Sequence, residues 1–210
     1  MRNKICIGLD FDTRSTSLFT VIKLISQTRD LVEFYKINPA FWLNKQRDLD
    51  KVIKYLNSEN LKWIFDGKVG DVLHTNENYA FYYYNIAKAA GLTLNPYSGY
   101  ESLEPFTRYG EKLNFLVCRT TNPGSNFLQE ESYKKVLEIS KKIESGLVIA
   151  GNKPELIKKA LNDMPETKIL CPGIGKQGGK ITIKHPNIIY SASRSIINSK
   201  NPRAEVESML

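Results

Sequence analysis

Histidine is nearly absent from this chain: His74 and His185 are the only two in 210 residues, too few for a histidine-built metal site. Cysteine is scarce as well. Cys6, Cys118 and Cys171 each sit inside an apolar, strand-like run, their number is odd and none shows zinc-ligand spacing, so they read as reduced core thiols. No apolar run approaches the length of a membrane span, and Met1-Arg2-Asn3-Lys4 does not open a charged-then-apolar leader. The expectation is therefore a soluble, cytoplasmic protein with no membrane partner. Nor is there a composition break, so residues 1–210 are expected to form a single domain. Acidic residues are outnumbered, 22 against 30 Lys and Arg, leaving a formal charge of +8. Such a balance suits a polyanionic partner. Its distribution argues otherwise, because Lys134-Lys135, Lys141-Lys142 and Lys158-Lys159 alternate with Glu130, Glu131, Glu138, Glu144 and Glu155 in helix-like segments, as solvated outer faces do. No nucleic-acid partner is expected.

What the chain does have is one stretch of concentrated chemistry. In Trp63-Ile64-Phe65-Asp66-Gly67-Lys68-Val69-Gly70-Asp71 an apolar run ends in alternating acid and base. Asp66 and Lys68 are two apart, so on a strand they project from one face with opposite charges side by side. Asp71 falls beyond the strand, on the loop. The same grammar recurs along the chain. Lys4 to Leu9 ends in Asp10-Phe11-Asp12; Leu31 to Ile37 carries Phe34 and Lys36 on one face; Leu92 to Leu94 runs into Asn95-Pro96-Tyr97. Leu113 to Cys118 ends in Arg119-Thr120-Thr121-Asn122-Pro123-Gly124, Leu147 to Ala150 is a further strand, Lys168 to Cys171 ends in Pro172-Gly173, and Asn187 to Tyr190 ends in Ser191-Ala192-Ser193-Arg194.

Helical segments are expected between these strands: Leu18 to Ile25, Pro39 through Leu56, Glu77 to Ala90 closed by Gly91, Glu101 to Tyr109, Tyr133 to Ile143, Pro154 to Leu161, and Pro202 to Leu210. About eight strands alternating with helices predict a parallel α/β fold and, at that number, a (β/α)8 TIM barrel, with a doubly wound open sheet as the rival. A barrel gathers the chemistry at the carboxyl ends of its strands. Asp10, Lys36, Asp66, Lys68, Asn95, Thr120, Gly173 and Arg194 all fall there and would converge on one mouth.

The phosphate-binding candidates come late, in Pro172 to Gly179 and at Ser193-Arg194. Exposed amides, an amide nest at a helix start and a guanidinium together suit a phosphate dianion. Gly173-Ile174-Gly175-Lys176-Gln177-Gly178 satisfies a GxGxxG pattern, yet no clear helix follows and no acid stands about twenty residues on to take a ribose, so dinucleotide binding is rejected.

Together these residues resemble the orotidine 5'-monophosphate decarboxylase family. Asp66-x-Lys68-x-x-Asp71 with Thr75 four residues on looks like its signature, Lys36 resembles the lysine at the end of its second strand, and Asn95-Pro96-Tyr97 with Thr120-Thr121-Asn122-Pro123-Gly124 resemble one branch of it. Pro172 to Gly179 and Ser193-Arg194-Ser195-Ile196 look like its phosphate loops. The resemblance implies a TIM barrel that decarboxylates orotidine 5'-monophosphate to uridine 5'-monophosphate, the last step of UMP biosynthesis, without cofactor or metal.

It further implies that Lys36, Asp66, Lys68 and Asp71 form the catalytic array, with Lys68 stabilising charge at C6 and protonating it. Asp10 would meet the ribose, Thr120 or Thr121 the pyrimidine, and Gln177 and Arg194 the phosphate, with Asn95, Pro172, Gly173 and Ser193 also binding substrate. Residues Lys176 to Pro186 would form a lid. Asp71 and Thr75 would reach into the partner's site of a homodimer. Two choices stay open, Asp10 against Asp12 and Thr120 against Thr121. A short last helix leaves barrel closure near the C-terminus open too. Sister enzymes of the superfamily use magnesium and carry an acid where this chain has Lys36, a cation that would repel the metal ion.

Overall fold

A computed structural model of the chain describes residues 2–175 and 178–210. Eight strands, β1 (Lys4–Gly8), β2 (Phe34–Ile37), β3 (Trp63–Val69), β4 (Gly91–Leu94), β5 (Leu113–Arg119), β6 (Gly146–Ile149), β7 (Ile169–Ile174) and β8 (Ile188–Ala192), close into a barrel in sequence order. Every neighbouring pair is parallel. Closure at the C-terminus, open from sequence, is complete: β8 pairs with β1 from Lys4 opposite Ile189 to Ile7 opposite Ala192. The chain end is tied in as well, since the Asn3 side-chain amide donates to the Met209 carbonyl at 2.8 Å.

Alternation along each strand sorts the side chains. Cys6, Phe34, Ile64, Phe115, Val148, Leu170 and Ile189 pack together along the barrel axis. Their neighbours, among them Ile5, Ile7, Tyr35, Ile37, Trp63, Leu92, Leu147, Ile169 and Tyr190, join the larger core between sheet and helices. Strands buried on both faces need near-continuous apolar sequence, and these have it. Two residues up from the axial layer come Gly8, Lys36, Asp66 and Ser191. The barrel therefore turns polar at its carboxyl end, where the pattern lifts charged groups clear of the packed interior.

The outer helices follow amphipathic spacing. In α1 (Leu18–Thr28) the buried residues are Val21, Leu24, Ile25 and Thr28, and Ser17 caps the start by accepting the Thr20 N–H at 3.2 Å. α2 (Gln46–Ser58) buries Val52 and Leu56 after a separate short turn at Pro39–Phe41, so Pro39 opens a 3-10 turn and not the helix itself. The segment expected as one α-helix from Glu77 to Ala90 is different. α3 (Leu73–Ala80) begins earlier and widens into a π-helix at Phe81–Ile86. The wider turn accompanies stacking of Tyr83 on Phe65, with ring centroids 3.8 Å apart. Gly91 is not its cap: Lys88 takes the left-handed turn at φ 62°, and Gly91 starts β4, where an added Cβ would lie 2.6 Å from the Leu113 carbonyl.

The remaining helices are α4 (Tyr100–Thr107), α5 (Asn126–Gln129), α6 (Tyr133–Lys142), α7 (Pro154–Asp163), α8 (Arg194–Ile197) and α9 (Pro202–Glu207). Among the described residues between β7 and β8 none is helical; Ile181 and Ile183 instead pack against the core. No helix among the described residues is long and apolar enough to cross a membrane.

Candidate active site

β3 continues through Asp66, Gly67 and Lys68 to Val69, so Asp66 and Lys68 lie on the strand and Asp71 beyond it, as expected. Its register against β4 shifts between Phe65 and Val69, and Lys68 takes φ 49° inside that irregularity. A left-handed conformation at a residue with a Cβ costs about 1–2 kcal/mol. It is held by Thr93 of β4, whose hydroxyl accepts the Lys68 N–H at 3.0 Å, a bond whose net worth of about 0.5–1.5 kcal/mol is of similar size. Glycine is required next door. A Cβ on Gly67 would lie 2.2 Å from the Phe65 ring, and one on Gly70 would lie 2.5 Å from the Asn95 carbonyl.

This geometry brings three charges together. Asp66 Oδ2 accepts from Lys36 Nζ at 2.5 Å, and Asp66 Oδ1 accepts from Lys68 Nζ at 2.8 Å and from the Thr93 hydroxyl at 2.9 Å. Burial alone would raise the Asp66 pKa, but the charges of Lys36 and Lys68 and their hydrogen bonds outweigh it and hold the carboxyl below its ordinary value. Lys36 is the mirror case: burial pulls its ammonium down, while the charges of Asp66 and Asp10 and the bond to Asp66 carry it above its ordinary value. Both groups are charged near neutral pH. Lys36 keeps 7% of its side chain exposed and Lys68 keeps 41%. The first ammonium is structural to the array, and the second faces the opening.

The array forms one wall of a cleft of about 440 Å³, lined also by Asp10, Thr120, Thr121, Pro172, Gly173, Ser193 and Arg194. Ten of the expected site residues thus meet at one mouth, counting Lys36, Asp66 and Lys68 with those seven. At the far side, Gly173 and Gly175 adopt φ 89° and 86°, and a Cβ on Gly179 would lie 2.6 Å from the Gly173 carbonyl. The glycines let this loop fold closely on itself beside Ser193 and Arg194. Among the described residues, Asp10 Oδ1, Ser193 Oγ and Ser195 Oγ are buried without a hydrogen-bond partner, and all three residues line the cleft. Buried polar atoms of this kind suit a polar ligand.

Asp10 lines the cleft, whereas Asp12 is exposed and turns to Arg14, 2.9 Å away. Thr120 and Thr121 both line it, with the Thr120 hydroxyl donating to Asn122 Oδ1 at 2.5 Å within its own loop. Three expected residues lie outside the lining. Asn95 turns its side-chain oxygen to the Tyr97 N–H at 3.1 Å and caps the turn at Pro96–Ser98. Asp71 accepts the Val72 N–H at 2.6 Å and is braced through its backbone by Asn76, and Thr75 sits on α3 behind it. Gln177 and the first residues of the expected lid, Lys176 and Gln177, lie outside the described residues. Thr93 escaped the sequence reading, while Ser191 and Ser195 stood in its strand-end and phosphate-loop stretches without a role of their own. The one available signal for Thr93 was a hydroxyl in the otherwise apolar run Leu92-Thr93-Leu94.

The model of the family described as "Orotidine 5'-phosphate decarboxylase / HUMPS family" matches residues 3–209. The chain belongs to this family. Among its relatives, an orotidine 5'-phosphate decarboxylase of Dehalococcoides mccartyi is 34% identical over 228 residues, covering 94% of this chain and 84% of its own. The solved structure of Leishmania donovani OMP decarboxylase superposes with a TM-score of 0.83 at 27% identity, covering 99% of this chain and 91% of that one. Leishmania donovani UMP synthase superposes with a TM-score of 0.87 at 28% identity over 99% of this chain, which spans only 52% of that longer one. The closed barrel and the resemblance of the chain to the orotidine 5'-phosphate decarboxylase family are thus borne out.

Proposed function

We propose that the chain decarboxylates orotidine 5'-monophosphate to uridine 5'-monophosphate, with residues 1–210 acting as one barrel domain. The observation that carries this reading is the Lys36–Asp66–Lys68 array in one cleft with a glycine-rich loop, Ser193 and Arg194. Loss of carbon dioxide from C6 leaves charge on a carbon with no electron sink, so the protein must stabilise it electrostatically. The Lys68 ammonium, fixed by Asp66 and open to the cleft, can do so and then deliver the proton that replaces the carboxylate. Because the carboxylate of Asp66 is ionised and its donors are already in position, little reorganisation accompanies reaction.

Asp10, with an unpartnered buried oxygen, suits the ribose hydroxyls, and Thr121 suits the pyrimidine because the Thr120 hydroxyl is turned into its own loop. Arg194, with Gln177, would hold the phosphate, remote binding that can be used at the reacting carbon. Both oxygens of Asp66 already accept from ammonium groups, which leaves a divalent cation no anionic edge there and argues against magnesium chemistry.

A homodimer with Asp71 and Thr75 in the partner's site is part of the same reading. It is supported by the position of both residues outside their own cleft and by exposed Val72, Tyr97 and Phe127 after the neighbouring strands β3, β4 and β5. The test is the ultraviolet change on conversion of orotidine 5'-monophosphate, run with excess chelator. Rapid, chelator-insensitive conversion is expected. A folded protein that converts only keto-sugar phosphates, and only with magnesium, would overturn the reading.

A further inference from the structure

Thr93 is buried to 1% exposure in the middle of β4, paired with Phe115 of β5, on the face that looks into the barrel. Its hydroxyl carries a single hydrogen. An ionised carboxylate only accepts, so that hydrogen goes to Asp66 Oδ1 at 2.9 Å, and an oxygen lone pair takes the Lys68 N–H at 3.0 Å. One atom thus joins the side chain of residue 66 to the backbone of residue 68, across the register shift where Lys68 departs to φ 49°. That φ sets the direction of the Lys68 Cα–Cβ bond and with it where the ammonium lies. We propose that Thr93 is a positioning residue, which holds Lys68 in its left-handed conformation and aims the ammonium at the reacting carbon.

The inference rests on the decarboxylase reading for its kinetic consequence, though not for its geometry. Without the hydroxyl, the Lys68 amide loses its acceptor and Asp66 Oδ1 loses one of two donors. The charges stay, but the ammonium loses its register. Asp10 and Arg194 are untouched, so substrate binding is spared.

The test compares Thr93→Val, Thr93→Ser and Thr93→Ala in kcat and KM for orotidine 5'-monophosphate, with the backbone amide resonance of Lys68 followed by NMR. Misplacement by about 1 Å costs on the order of 100-fold, so kcat of Thr93→Val should fall about 10- to 100-fold. KM should stay within about threefold, and Thr93→Ser should recover kcat to within about threefold of wild type. Wild-type kcat in Thr93→Val and Thr93→Ala would overturn the proposal, as would equal damage in Val and Ser variants or a change confined to KM. If the wild-type protein does not turn over orotidine 5'-monophosphate, the functional reading fails alone. The Lys68 amide should still shift and exchange faster in Thr93→Val and return in Thr93→Ser, and an unmoved resonance would refute the role of Thr93. Should Thr93→Val not fold, Thr93→Ala and Thr93→Ser carry the same comparison.

Discussion

Replacing Asp66 with Asn removes one charge from the centre of the array while keeping its shape. Asp66 accepts from the Lys36 ammonium, the Lys68 ammonium and the Thr93 hydroxyl. An amide offers one accepting oxygen and sets N–H groups where the other oxygen stood. Whichever way it turns, a donor faces a donor. Lys36, 7% exposed, keeps only the nearby charge of Asp10, so the change comes close to breaking a buried pair from one side, at about 3–5 kcal/mol. For a chain of this length each kcal/mol is worth roughly 2–4 °C, giving a fall in Tm of about 6–20 °C.

The pH dependence has a definite sign. Asp66 is held below its ordinary 3.8, so its stabilisation is complete above that value and is lost as pH falls through the lower folded value. Lys36 is raised above its ordinary 10.5, so its share is complete below that value and is lost as pH rises through the folded one. The gap between wild type and Asp66→Asn is therefore flat between about pH 5 and pH 9 and narrows in acid. Thermal melts followed by circular dichroism at stepped pH read this directly. A variant melting with the wild type at neutral pH, or a gap that widens in acid, would refute the reasoning.

Two further outcomes follow from other parts of the molecule. If Asp71 serves the partner's site, equal mixing of Lys68→Ala and Asp71→Ala proteins after subunit exchange should restore about a quarter of wild-type activity, since half the dimers are hybrids with one intact site; no recovery despite exchange would contradict the shared site. Burial pushes the thiols of Cys6, Cys118 and Cys171 up to about 12, so a thiol reagent at mildly alkaline pH should leave all three unmodified until the protein is denatured, and rapid labelling of the native form would show a looser core than the structure has.

The barrel was legible because strand ends in this chain are chemically marked: a buried run that stops at Asp10, Lys36, Asp66 or Arg194 announces both the strand and the mouth. Choices within a strand end were not legible. Asp10 and Asp12 obey the same alternation, and only Arg14, folding back on Asp12, separates them. Asn95 has the right place in sequence, and its side chain also serves the following turn. The helix after β3 differs from expectation because the π form at Phe81–Ile86 goes with long-range stacking of Tyr83 on Phe65, which no local pattern records. Thr93 was missed for a related reason. Its role depends on which strand stands beside β3, and adjacency of that kind comes only from the closed sheet.

The most direct measurement is proton delivery itself. Orotidine 5'-monophosphate would be converted in heavy water by the wild-type protein and by Lys68→Ala, with the product read by NMR at C6 and binding of uridine 5'-monophosphate measured for both. The account predicts that the wild type forms uridine 5'-monophosphate carrying deuterium at C6, while Lys68→Ala binds the product yet forms almost none. Turnover by Lys68→Ala at the wild-type rate would contradict it.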